Sequence, residues 1–257
     1  MNITKINTII KSTLIWLILS GLLFTSACKK PSVKEEEEEL ETSTVTDADG
    51  NVYKTVKIGN QWWMAENLKT TKYRDGTSIT FYNGGVSWEK DTIGLYSIYK
   101  DNLIPGLLYT WYAISNSSNI APEGWHVPTD NDWKELERHL GMSEEEINKT
   151  GWRGTNEGDK LKIYKGPDIS GTSTIKYWIS FDDVFPTNES GFQAIASGYR
   201  FYTGSWDGAL LNQTAFFWSS TLHEKEVWYR YLDYKKSNIF RYHGTKAYGY
   251  GVRCIKN

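Results

Sequence analysis

Two cysteines, Cys28 and Cys254, are all the chain holds in 257 residues, and they cannot be read as a disulfide framework. Histidine is almost as scarce. His126, His139, His223 and His243 stand singly, with no zinc spacing, nucleophile elbow or phosphate loop beside them. No catalytic, cofactor-binding or metal-binding residue is assigned from the sequence. Charge of one sign is lacking too: a net charge of -2 offers no basic field to neutralise phosphates, which excludes a nucleic-acid partner. A membrane-spanning run is also missing. The longest apolar stretch, Leu14 to Ala27, is 14 residues, about 21 Å as a helix against roughly 30 Å of hydrocarbon.

Aromatic residues are abundant instead, with 12 Trp, 17 Tyr and 9 Phe. Most must be core, yet in loops the same rings make flat surfaces for sugars. With 39% hydrophobic positions the chain is long enough to bury a large core.

The apolar run follows Lys5 and Lys11 and ends in Thr25-Ser26-Ala27-Cys28, so residues 1–27 read as a secretory signal. Small residues before a cysteine resemble the lipobox of bacterial lipoproteins, although Thr25 stands where that motif usually has Leu. The resemblance implies that Cys28 is acylated and begins the mature chain. Two or three acyl chains, at about 0.8 kcal/mol per buried methylene, would then hold the protein in its membrane. Residues 28–44, with five consecutive glutamates from Glu35 to Glu39, repel one another and read as an extended tether. Such an acidic run after the cysteine resembles the surface-export signal of Bacteroidetes lipoproteins, which implies an outer-membrane protein facing outward.

From Val45 to Asn257 the pattern is that of a folded domain. Asn51 to Ile58 and Gln61 to Met64 read as a hairpin closed by Gly59-Asn60, with Val52, Val56 and Ile58 on one face and Trp62 and Trp63 on opposite faces. Asp47, Asp49 and Asn51 open like a calcium loop. Val52 and Ile58 stand where that loop needs Gly and Glu, so the stretch reads as a turn. The strongest signal begins at Thr129, an N-cap for Asp132 in a capping box, followed by Trp133, Leu136 and Leu140 on one face and Gly141 as terminator. Ser143 and Glu146 predict a second short helix, with Met142 and Ile147 as its hydrophobic staple. Strands follow around 175–179 and over Ala215–Ser219, Val227–Leu232, Ile239–Tyr242 and Tyr248–Ile255. Two helices among many strands predict a single α+β domain.

Several stretches in register resemble the Fibrobacter succinogenes major paralogous domain. They are 49–61 with 63–68, Gly124-Trp125-His126-Val127-Pro128-Thr129, 151–158, Asn188-Glu189-Ser190-Gly191-Phe192, Gly198-Tyr199-Arg200, Phe217-Trp218-Ser219-Ser220 and Val252-Arg253-Cys254. Where that family usually continues Leu-Pro-Gly, this chain has Ile195-Ala196-Ser197. The resemblance implies a C-type-lectin-like fold with paired terminal strands and a long irregular loop region carrying the binding site. The formylglycine-generating enzymes share that fold, but their oxidase chemistry needs two cysteines. Only Cys254 remains once Cys28 is acylated, so that chemistry is not carried over, and Cys254 reads as a small buried hydrophobe.

The calcium-sugar tripeptides of true C-type lectins are absent, so no calcium-dependent sugar site follows from fold. Trp206 in Thr203-Gly204-Ser205-Trp206-Asp207-Gly208 is the first candidate ligand contact, with Asp207 accepting sugar hydroxyls, and Trp152 between two glycines is the second. The expectation is a non-enzymatic, lipid-anchored surface module for a glycan or surface protein. Two alternatives remain: a glycan hydrolase or modifying enzyme using Asp182, Asp183 or Glu189, and a structural component of the cell surface.

Overall fold

The computed structural model describes residues 39–84, 88–90, 92–98, 104–167, 174–205 and 210–257. The signal segment, Cys28 and the tether as far as residue 38 lie outside the described residues, and so do Trp206 and Asp207. No helix among the described residues is long and apolar enough to cross a membrane.

The body, Glu39 to Asn257, is α+β. It opens with β1 (Thr42–Thr46), β2 (Val52–Ile58) and β3 (Gln61–Met64), then β4 (Thr80–Phe81), β5 (Leu95–Ser97), β6 (Leu108–Tyr109) and α1 (Trp111–Ile114). β7 (Trp125–His126) and α2 (Asp130–His139) lead to β8 (Gly151–Arg153), α3 (Glu157–Leu161), β9 (Lys165–Pro167) and β10 (Thr174–Lys176). It closes with β11 (Thr214–His223), β12 (Glu226–Asp233), β13 (Ile239–Gly244) and β14 (Ile255–Lys256). One sheet has the order β1-β2-β3-β14-β7 and a second the order β11-β12-β13-β8, with smaller sheets β4-β5-β6 and β9-β10. The chain's end returns to its beginning, because β14 pairs with β3 as well as with β7. The described part of residues 177–213 carries only isolated bridges.

The β2–β3 hairpin forms where the sequence places it, with Ile58 opposite Gln61 and Gly59 at a φ of 59° in the two-residue turn. Val56, Ile58 and Trp63 pack into one core cluster, Tyr53 and Met64 into another, so the sheet is covered on both faces. Trp62 and Trp63 do point apart, and only Trp63 is fully buried. Val52 shares the face of Val56 and Ile58 but is 57% exposed, because it pairs with Thr46 at the sheet's margin beyond the core. The strand β1 also corrects the tether boundary. Thr42, Ser43 and Thr44, read as tether, pair with Val56, Thr55 and Lys54, since backbone hydrogen bonds need no apolar pattern.

α2 carries its capping box: the Thr129 hydroxyl accepts from the Asp132 amide at 3.2 Å while Asp132 accepts from the Thr129 amide at 2.7 Å. Trp133, Leu136 and Leu140 are buried, and Gly141 ends the helix at a φ of 107°. The second helix does not form. The Ser143 hydroxyl caps the Glu146 amide at 3.3 Å, but the Glu146 carboxylate turns to the Gly154 amide and Lys149, so the box is incomplete and the segment stays in turns. Met142 and Ile147 are buried all the same. The predicted strand over Tyr248–Ile255 is likewise reduced to β14. Gly249, Tyr250 and Gly251 pair instead with Arg200, Tyr109 and Phe217, three partners from different elements.

Candidate functional site

Period-two alternation splits the β11-β12-β13-β8 sheet into two unlike faces. Inward go Ala215, Phe217, Leu232 and Ile239, which join the core. On the opposite parity, Phe216 faces Tyr231, Tyr231 faces Phe240, and Phe240 faces Trp152. Four strands therefore place four aromatic side chains in one unbroken cross-strand row. The rings touch along it: Phe216 and Tyr231 stack with centroids 4.4 Å apart, Tyr231 and Phe240 lie 5.7 Å apart, and Phe240 and Trp152 lie 5.2 Å apart. Such pairs add about 0.5–1.5 kcal/mol each beyond the area they bury.

Further rings wall the row. Tyr199 lies 4.8 Å from Phe216, Tyr250 stacks 4.9 Å from Phe216, and Tyr248 stacks 5.3 Å from Tyr250. Together with Tyr202, Tyr229 and Tyr242 they line an open groove of about 870 Å³. Most of these rings are half-buried, which fixes them while leaving surface for a ligand. Burial raises the pKa of Tyr199, Tyr229, Tyr231, Tyr248 and Tyr250, and Tyr231 is raised further by donating to Asp233. Every one of these phenols is therefore protonated at neutral pH, a donor and acceptor rather than a base.

The inner face is pinned to α2 by charge. Glu137, fully buried, accepts from Arg153 Nη2 at 2.7 and 2.8 Å and from Arg230 Nε at 2.5 Å. Asp130 accepts from Arg230 Nη1 at 2.9 Å and from Arg241 Nε and Nη2 at 2.9 and 2.7 Å. Arg153, Arg230 and Arg241 come from β8, β12 and β13, so one helix face clamps three adjacent strands behind the aromatic row. The sequence pattern presents Asp130 only as a charge for the helix end and gives Glu137 no role. Their burial depends on which arginines the sheet brings to them.

Trp152 stands half-buried at the end of the row, with Lys236 Nζ 6.0 Å from its ring. Trp206 and Asp207 lie outside the described residues. Phe216, Tyr231 and Phe240 were not legible as a site. Their alternation was present in the sequence, but the register that aligns them belongs to the sheet. Asp182 and Asp183 are exposed in the turn between Phe181 and Val184. Glu189 is exposed and pairs with Lys160 at 3.1 Å, and none of the three carboxylates lines the groove.

Cys254 is fully buried, and burial pushes its thiol well above the ordinary value, so it packs as a small hydrophobe. His126 bridges Asn257 at 2.7 Å and Asp132 at 3.2 Å, while His139 is exposed on α2. Asp47 serves as a turn acceptor for the amides of Asp49 and Asn51, each at 2.9 Å. Among the described residues no group of three metal-ligating side chains converges.

The profile of the Fibrobacter succinogenes major domain matches residues 56–256. No curated protein and no solved structure matches the chain.

Proposed function

The chain belongs to the Fibrobacter succinogenes major domain family, and we propose that it is a lipid-anchored outer-membrane module, C-type-lectin-like in fold, whose aromatic groove holds an extracellular glycan without reacting on it. The observation that carries this reading is the row Phe216–Tyr231–Phe240, which lines an open groove of about 870 Å³ and which Trp152 extends beyond it. A pyranose presents an apolar face of C–H groups ringed by hydroxyls. Adjacent flat rings supply the matching apolar surface, and neutral phenols beside them supply donors and acceptors. The Arg–carboxylate clamp behind the sheet favours binding further, because a row held rigid before the ligand arrives loses little entropy on binding.

Many of the residues that carry the family resemblance serve the scaffold. Arg253, fully buried, donates to Asn67 Oδ1 at 2.7 Å and to the carbonyls of Met64 and Phe192 at 3.1 and 2.6 Å. Arg153 is spent on Glu137. Most of the groove rings lie in stretches between those motifs.

A glycan array probed with the Glu39–Asn257 body, with and without calcium, tests the reading. Discrete glycans should give signals that fall about two- to tenfold in Tyr231→Ala and Phe216→Ala, the loss of about 0.5–1.5 kcal/mol that one stacked ring supplies. Equal weak signals from wild type and both variants would remove the glycan platform. For the anchor, labelled palmitate incorporation should vanish in Cys28→Ser, and undiminished labelling would refute acylation there.

A further inference from the structure

Among the described residues the charged lining of the groove is mainly acidic: Glu89 and Glu226 line it, with His243 paired to Glu226, and no described Lys or Arg does. Glu226 holds His243 Nδ1 with Oε2 and keeps its side chain 46% exposed, while its Oε1 meets no partner among the described residues. Three cations next to lining residues in sequence are engaged elsewhere. Lys246, between Thr245 and Ala247, sets its ammonium 4.7 Å from the Trp111 ring, and Arg200, beside Tyr199, stacks 4.5 Å from Tyr82 and 5.3 Å from Trp88. Arg241 is turned through the sheet to Asp130. Lys225, exposed in the β11–β12 turn beside Glu224, lies outside the lining. Lys236 lies over Trp152, beyond the groove lining.

Aromatic faces carry the negative side of the ring quadrupole and attract cations within about 6 Å. Phe216 stacks on Tyr231 and Tyr250, and these and the other lining rings stand beside two carboxylates. Glu226, Tyr229 and Tyr248 line the groove together, and burial first, then the neighbouring phenols and Glu226, raise the pKa of both tyrosines. A sugar ring stacked there meets negative potential from the floor and from the rim together.

We infer that the groove selects glycans bearing free amino groups, seated toward Glu226, and rejects uronic-acid or sulfated glycans. This rests on the glycan-binding reading above and adds the ligand's charge to it. An ammonium on the sugar gains the aromatic rings and Glu226 at once, whereas a carboxylate or sulfate meets like charge, and His243, the one basic side chain in the lining among the described residues, is already held by Glu226.

The test is calorimetric titration of the full chain in detergent with three tetrasaccharides, of glucosamine, of N-acetylglucosamine and of galacturonic acid, at a pH where the amines are protonated. The glucosamine oligomer should bind about tenfold tighter than the uronate. Glu226→Gln should shrink that ratio at least about threefold, and Glu89→Gln, which leaves the His243 contact untouched, should shrink it in the same direction. Binding of the uronate as tight as the amine, or a ratio unmoved by both substitutions, overturns the inference while leaving glycan binding intact. Failure of all three oligomers overturns it as well, and a silent array in addition overturns the glycan reading itself.

Discussion

Glu137 shows how one side chain sets a whole face. It is a carboxylate with no exposed surface, holding two buried guanidiniums from different strands. Removing one partner of such a cluster leaves charges stranded away from water, which costs about 3–5 kcal/mol. Glu137→Ala should therefore lower the urea midpoint by that free energy, and a change within about 0.5 kcal/mol would show that the network is not what fixes the sheet. Asp130 adds a pH signature. Burial alone would raise its pKa, but the guanidiniums of Arg241 and Arg230 outweigh burial and hold it well below the usual carboxylate range. A folded-state pKa below the unfolded value of about 3.9 contributes stability above that pH and loses it as the pH falls further. The stability gap between wild type and Asp130→Asn should thus narrow between pH 7 and pH 3. A constant gap would refute the pairing.

At the scale of the element, α2 is specified from both ends and used on one face. Thr129 caps it, Gly141 ends it, and Trp133 lies 4.9 Å from Trp63 in the core. Thr129→Ala should cost about 0.5–2 kcal/mol, read as a shift in thermal midpoint, with Thr129→Ser recovering most of it. The cap is coupled to β7 through His126, whose pKa is raised chiefly by its hydrogen bond to Asp132. A raised histidine pKa stabilises the fold fully below the unfolded value of about 6.5 and ceases to do so as the pH climbs through the folded value. An NMR titration should accordingly place the His126 midpoint above 6.5, and a midpoint at or below it would separate the histidine from the cap. β1 makes a contrasting case, since it is nearly all exposed and its place comes from five backbone pairs with β2.

For the whole molecule that contrast becomes a boundary. The body begins at Glu39, and β1 belongs to it. A Glu39–Asn257 fragment should unfold at the same urea midpoint as the full chain, whereas Val45–Asn257, which keeps only the end of β1, should be weaker by a few times the ~1 kcal/mol net worth of a hydrogen bond. Equal midpoints for the two fragments would mean that β1 adds nothing to the body. The groove depends on the same wholeness, because its floor comes from β11, β12 and β13 and its walls from Tyr199, Tyr248 and Tyr250, far apart in the chain.

What the sequence by itself determined is whatever is decided within a few residues. The capping box at Thr129, the Gly59-Asn60 turn, the split between Trp62 and Trp63 and the α+β class all follow from local geometry and alternation, and the motifs over residues 56–256 fix the family. Trp152 could be singled out because it stands alone between glycines. Tertiary structure alone decided that Trp152 ends a row with Phe240, Tyr231 and Phe216, that Asp130 and Glu137 are buried against three arginines, and that the Ser143 turn does not become a helix. The physical reason is common to all three. Strand register, long-range ion pairing and competition for the Glu146 carboxylate depend on groups that meet only when distant parts of the chain pack, and no local pattern encodes that meeting.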